Sequence, residues 1–144
     1  MPAVAHDATT SAVASAATTV SVSLTIANNP NRYLLIACGA SDASAPGDIS
    51  SCTWNTSESA TEIADQVMGS NERSWLYELV APTATTANAE FTNTTNNDGL
   101  FIAASCFYNV YQTTPRGTVR VNYTTGTAAT VWASCDGGLP GGLA

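Results

Sequence analysis

The chain has 144 residues, a formal net charge of −7 and a sequence pI near 4.2. This length suits one domain with a sizeable core, and the acidity argues against nucleic acid or an anionic membrane as partner, because both require clustered cations. Lysine is absent, while threonine, serine and asparagine are abundant. Because helix surfaces are usually built from lysine, glutamate, glutamine and arginine, this composition favours an all-β domain.

Short strands are predicted along most of the chain. Residues 18–26 alternate most clearly, which places Val20, Val22 and Leu24 on one buried face. Residues 60–68 have partly helical spacing, so they are predicted to be irregular, with a helical turn as the alternative. The Asn-rich residues 93–99 are predicted to form a turn between two strands. The other predicted strands are 33–39, 49–54, 74–80, 87–92, 100–110, 118–123 and 129–134.

About eight or nine such strands, separated by turn signals, predict an antiparallel two-sheet sandwich of jelly-roll or immunoglobulin-like type. We expect residues 1–17 to form an N-terminal arm or edge segment and residues 18–135 to form the sandwich. The Gly-rich residues 136–144 have the composition of a flexible tail. One domain is therefore predicted.

Three segments of the chain are distinctive in combination. Residues 6–41 combine a small-residue segment, an alternating strand and Asn-Arg followed by Leu-Leu-Ile. The second segment is "RSWLYELVAPTATTANAEFT", and the third is "FYNVYQTTPRGT", an aromatic strand that ends in Gln-Thr-Thr-Pro. Together they resemble a group of β-sandwich domains found in phage structural proteins and in bacterial surface or secreted proteins. The resemblance implies a β-sandwich with no catalytic residues to transfer. Members of the group usually continue with more strands, which leaves room for a strand supplied by a neighbouring subunit.

Candidate catalytic groups are few. His6 is the only histidine and has no nucleophile motif near it in the sequence, so a catalytic triad is not expected. A pair of carboxylates is required for glycoside hydrolysis, but their separation cannot be read from sequence. Asp42 and Asp48 lack the ordered spacing of a calcium loop. We therefore predict no enzyme activity, no cofactor and no metal. The acids considered are Asp42, Asp48, Glu58, Glu62 and Glu78.

The four cysteines are widely spaced and contain no C-x-x-C pair, which argues against zinc or redox chemistry. Buried thiols are favoured over disulfides for a protein made in the cytoplasm, and the sequence does not choose between the three full pairings. The candidate buried thiols or disulfide partners are Cys38, Cys52, Cys106 and Cys135.

The three tryptophans are favoured as core residues over a sugar-stacking platform, with Trp132 as the best exception. Together these observations predict a non-enzymatic phage virion protein, most concretely a capsid decoration or cement protein or a related head component. It would be made in the host cytoplasm and would bind the major capsid protein or other virion subunits, as a homo-oligomer. The alternative is a glycan-binding or adhesive surface module located outside the cell. The candidate interaction residues are Trp132, Arg116, Arg120, Leu139 and Leu143.

Overall fold

The computed structural model of the protein describes residues 2–117, 119–122 and 132–135, the last two ranges by their backbone alone. These ranges contain nine strands and no helix, so the predicted all-β class is confirmed. The strands are β1 (Ala5–Thr25), β2 (Tyr33–Ser41), β3 (Ile49–Trp54), β4 (Glu58–Ser59), β5 (Thr61–Met68), β6 (Glu72–Val80), β7 (Thr86–Tyr108), β8 (Val119–Asn122) and β9 (Trp132–Cys135).

Seven strands form one antiparallel sheet with the order β4-β3-β7-β2-β6-β5, and β1 pairs with β7 beside this path. The first and last strands of the path, β4 and β5, are separated in the chain by Ala60 alone. The two ends of the sheet therefore meet, and the sheet is nearly barrel-shaped. The β8–β9 pair forms a separate hairpin, and the backbone of β8 lies close to that of β5.

The longest pairing in the molecule joins β1 to β7. The first half of β1 pairs with residues 97–108 and the second half pairs with residues 86–92. Between these halves, residues 93–96 of β7 lie opposite Thr18 alone. Extra residues on one strand bend it and increase its twist, so the two-stranded ribbon formed by β1 and β7 turns at this point. Ala16 has a φ of 50° beside the bend, a left-handed conformation that is uncommon for alanine.

The ribbon turns far enough for β1 to fold back on itself. The Asp7 carboxylate accepts a hydrogen bond from the backbone N–H of Ala27 at 2.9 Å and one from the Asn29 side-chain amide at 3.3 Å. Asp7 and Ala27 are 20 residues apart. A straight strand would separate them by about 66 Å. The bonds to Asp7 therefore bring the two ends of the strand together.

The core lies between the halves of this folded ribbon and the strands that flank them. Trp54 is fully buried, and its indole N–H donates to the backbone carbonyl of Thr83 at 3.1 Å. Trp75 packs against Phe91 with ring centroids 5.6 Å apart. Asn93 is also buried: its amide donates to the Gly47 carbonyl at 3.0 Å. Side-chain amides of this kind supply hydrogen-bond partners to backbone groups near the bend in β7.

Two local predictions are wrong. Residues 60–68 contain the strand β5, whose pairing with β6 outweighs their partly helical spacing. Residues 93–99 do not reverse the chain but lie inside β7, where asparagine side chains bond the bent backbone. The boundary expected after residue 17 falls within β1. The predicted tail, residues 136–144, lies outside the described residues.

Candidate interaction surface

The outer edge of β1 is the longest stretch of strand edge that the described residues leave unpaired. β1 has 21 residues and pairs only with β7 within the described ranges. From residue 8 to residue 25 it carries no charged residue, no proline and no glycine. Natural sheet edges are commonly protected by charges, proline or short length, and this part of β1 has none of these devices. Its backbone is thus suited to pairing with an extended strand from another chain.

Two exposed apolar side chains lie next to this edge. Val13 on β1 and Phe101 on β7 are directly opposite each other, and they are 79% and 40% exposed. Cross-strand partners share one face of the sheet, so the two side chains form a single apolar patch. Phe101 also borders an apolar groove of about 380 Å³, which includes Ala64 and Leu76 in its lining. The free edge and an apolar surface are therefore adjacent.

The segment that follows β7 is tied to β6 by an ion pair. Arg116 donates to both carboxylate oxygens of Glu78, at 2.8 and 3.2 Å, and the Tyr33 hydroxyl donates to the same carboxylate at 2.5 Å. The Arg116 and Glu78 side chains are 29% and 13% exposed. A two-pronged guanidinium–carboxylate contact fixes orientation as well as charge. In the described structure, Arg116 therefore anchors its own segment to the sheet.

A second arginine, on β6, joins the loop before β3 to β5. Arg73 donates to both carboxylate oxygens of Asp65, lies 3.4 Å from an Asp48 oxygen, and stacks 5.0 Å from the centre of the Trp75 ring. The Asp65 carboxylate, with smaller contributions from other acids, raises the pKa of Arg73. Arg73 thus has a structural role, and so does one of the acids considered for chemistry, Asp48.

The remaining candidate catalytic groups also have structural contacts. His6 packs edge-on against Phe107, with ring centroids 5.5 Å apart. Asp42 accepts hydrogen bonds from the backbone and the hydroxyl of Ser44 at 2.8 and 2.9 Å, which lower its pKa. Glu58 accepts from the Thr83 backbone at 3.1 Å.

Glu62 accepts from the Tyr77 hydroxyl at 2.9 Å. No group of three or more histidine, cysteine or acidic residues suited to a metal ion occurs in the part of the chain that the structure describes.

Some of the cysteine and tryptophan candidates lie in the core, and the side chains of the others are not among those that the structure describes. Cys38, Cys52 and Cys106 are buried free thiols. Burial is the main reason why the pKa of Cys106 rises to about 11. Trp54 and Trp75 are at most 3% exposed, so neither is available to stack against a sugar. The side chains of Trp132, Arg120 and Cys135, together with Leu139 and Leu143, lie outside the described residues.

Neither Val13 nor Phe101 stands out in the sequence as an interaction residue. Residues 8–17 do carry a signal, because alanine alternates with threonine, serine and valine over part of this range. That pattern is compatible with a strand whose two faces differ little in hydrophobicity, and such a pattern does not distinguish a paired strand from an exposed arm. Phe101 stands in a continuous apolar run, where period-two reasoning does not reveal which side chains point outward.

No protein-family model, curated protein or solved structure matches this chain. Within the described residues, no helix is long and apolar enough to cross a membrane.

Proposed function

We propose that this protein is a non-enzymatic phage virion structural protein, most concretely a capsid decoration or cement protein or a related head component. The observation that carries the proposal is the free edge of β1, uncharged from residue 8 to residue 25, with the exposed apolar pair Val13 and Phe101 beside it. The resemblance of the chain to domains of phage structural proteins supports the same role. The acidic composition also suits a partner other than nucleic acid.

The mechanism is stabilisation by mass action. An extended segment of a capsid subunit pairs with the edge of β1, and the apolar patch covers part of the same subunit. Because the binding surface of the partner exists only in the assembled particle, binding lowers the free energy of the assembled state alone. The bound protein then makes the particle harder to disrupt by heat.

The proposal extends to the architecture and to the assembly. The curvature of the sheet and its single enclosed core are compatible with the two-sheet sandwich, jelly-roll or immunoglobulin-like, that the strand pattern predicts. A homo-oligomer matched to the symmetry of the particle would present several β1 edges at once, which strengthens binding without any new contact.

Particles produced from the genome that encodes the chain provide the test. We expect the protein to be found in purified particles by mass spectrometry, and we expect particles that lack it to lose infectivity at a lower temperature. Addition of the purified protein should restore heat resistance. A monomer that binds polysaccharide and never associates with particles would contradict the proposal and support the glycan-binding alternative.

The variant Val13→Lys tests the surface itself. A lysine beside the β1 edge should weaken particle binding at least tenfold, because the contact would bury an unpaired charge. Val67→Lys is the matched control, since Val67 is 56% exposed on β5 and does not line the groove beside Phe101. Both variants should fold as the parent protein does. Equal binding by the two variants would place the contact elsewhere on the protein.

A further inference from the structure

Cys38 and Cys52 lie on two strands that are not paired with each other. Cys38 is on β2 and Cys52 is on β3, and their residues are 2% and 4% exposed. Each of these strands pairs with a different half of β7. Because β7 bends between those halves, the two thiols approach each other through the core and not along the sheet.

The aromatic residues around the two cysteines show that they lie at the same level of the core. Cys38 is directly opposite Trp75 on β6, and Cys52 is directly opposite Phe91 on β7. The rings of Trp75 and Phe91 are in contact, with centroids 5.6 Å apart. The two cross-strand pairs therefore face each other across the core.

The two thiols also influence each other. Interaction with the Cys52 side chain, together with burial, raises the pKa of Cys38. Both sulfurs also act on the hydroxyl of Tyr77 and contribute to its raised pKa, after the larger effects of burial and Glu62. Cys106 is in a different setting, because its thiol lies 3.7 Å from the backbone carbonyl of Phe107.

We propose that Cys38 and Cys52 form a disulfide across the core when the chain folds or opens in the presence of a small-molecule disulfide. The Cys38 thiolate attacks oxidised glutathione, which forms a mixed disulfide and releases one reduced glutathione. The Cys52 thiolate then attacks the Cys38 sulfur of this mixed disulfide, which forms the Cys38–Cys52 bond and releases the second glutathione. Two protons leave the protein, and oxidised glutathione takes up the two electrons.

The bond would link strands that no ladder joins directly. It would close the chain between residues 38 and 52 and so restrict the unfolded state. In the folded reduced protein both thiols are buried, so exchange takes place in the unfolded chain or during opening of the core. This inference does not depend on the proposed virion role, and its test uses the purified protein alone.

Trypsin offers a clean way to map the pairing, because the chain has four arginines and no lysine. Cys38 and Cys52 fall on the same peptide, residues 33–73, while Cys106 falls on 74–116 and Cys135 on 121–144. The protein is refolded with oxidised and reduced glutathione, alkylated with iodoacetamide, and digested without reduction. We expect peptide 33–73 to be two hydrogens lighter and unalkylated, and peptide 74–116 to be alkylated at Cys106.

A cross-link from peptide 33–73 to either of the other cysteine peptides would overturn the proposal. Full alkylation of peptide 33–73 after oxidative refolding would overturn it as well. The wild-type chain is sufficient for this measurement, so the result does not depend on whether a cysteine variant folds.

Thermal unfolding with and without reductant is the second measurement. Oxidised wild-type protein should unfold on the order of 10 °C above the reduced protein. The variant Cys106→Ser should keep this difference, and Cys52→Ser should lose it. A difference that survives in Cys52→Ser would assign the stabilisation to another pair of cysteines and contradict the proposal.

Discussion

In the second half of β1 the inward side chains are Val20, Val22 and Leu24, which are at most 9% exposed. In the first half the corresponding positions include Ala12 and Ala14, which are only partly buried. Both halves pair in register with β7, so backbone hydrogen bonding does not distinguish them. The difference lies in the apolar area that each half removes from water, to which the hydrophobic free energy is proportional.

This comparison suggests a division of roles within one strand. The second half holds the strand in the core, whereas the first half is held mainly by its backbone ladder and by its small contacts with the core. A segment with few buried apolar contacts opens at a lower free-energy cost than a segment in the core. The first half of β1, which also carries Val13, is therefore the half that can adapt to a partner.

The largest expected effect comes from truncation in the second half. Leu24→Ala should lower the free energy of unfolding by about 3 kcal/mol, because it removes a buried side chain and leaves a cavity. Urea denaturation followed by circular dichroism measures this change. Val13→Ala, in the first half, is the control and should change stability by less than about 0.5 kcal/mol. Equal losses in the two variants would remove the distinction between the halves.

The bend between the halves gives the second effect. Asn93 is 3% exposed, and its side-chain oxygen accepts from the backbone N–H of Thr95 at 3.1 Å while its amide donates to the Gly47 carbonyl. Asn93→Ala should cost about 2 kcal/mol, because these backbone groups lose their partners. The same urea titration applies, with Asn88→Ala as an exposed control on β7. If Asn93→Ala lowers the free energy of unfolding no more than the control does, the backbone hydrogen bonds between β1 and β7 are sufficient to hold the bend.

A smaller effect is expected for the ion pair that ties the segment after β7 to β6. In a double-mutant cycle, Glu78→Gln and Arg116→Gln should show a coupling of about 1 kcal/mol in the free energy of unfolding, since the pair is partly exposed. The coupling should shrink as salt is added. Purely additive losses in the free energy of unfolding would indicate that backbone contacts, and not the ion pair, hold the segment after β7.

The last effect concerns pH and is absent at neutral pH. Cys106 lies opposite Ala8, in the first half of the ribbon, and its pKa rises from 9.0 to about 11, chiefly through burial. The unfolded thiol loses its proton first, so this contribution to stability is complete below pH 9 and is lost as the pH rises to about 11.

Urea midpoints measured across that range should fall, and Cys106→Ala should flatten part of the fall. An unchanged slope in the variant would assign the pH dependence to other groups, such as Tyr77, whose pKa is also raised.

Local patterns were sufficient for the fold class and for several strands. The predicted strand 49–54 coincides with β3, because its alternation and its turn at Asn55 are both local features. The predicted strands 33–39 and 74–80 differ from β2 and β6 by two residues at one end, which is within the usual uncertainty of strand ends. The expectation of one antiparallel all-β domain therefore rested on information that short windows contain.

What failed depended on long-range pairing. Whether the asparagine-rich residues 93–96 reverse the chain or bend it is decided by the partner strand β1, far away in sequence. Arg116 and Glu78 were each considered separately, but their contact spans 38 residues, which no local pattern reveals. The patch formed by Val13 and Phe101 arises in the same way, from the pairing register of two strands that are far apart in sequence.

The pairing of β1 with β7 has a consequence for the order of events during synthesis. Thr25 and Thr86 are 61 residues apart in the chain, and Thr9 and Ser105 are 96 apart. β1 therefore leaves the ribosome long before its partner is made, and it can pair only after β7 has been translated. The first half of β1, which is mostly alanine, serine and threonine, is well suited to that interval, because it exposes little apolar surface before it pairs. The composition that weakens the hold of this half on the finished core thus limits the apolar surface of the nascent chain.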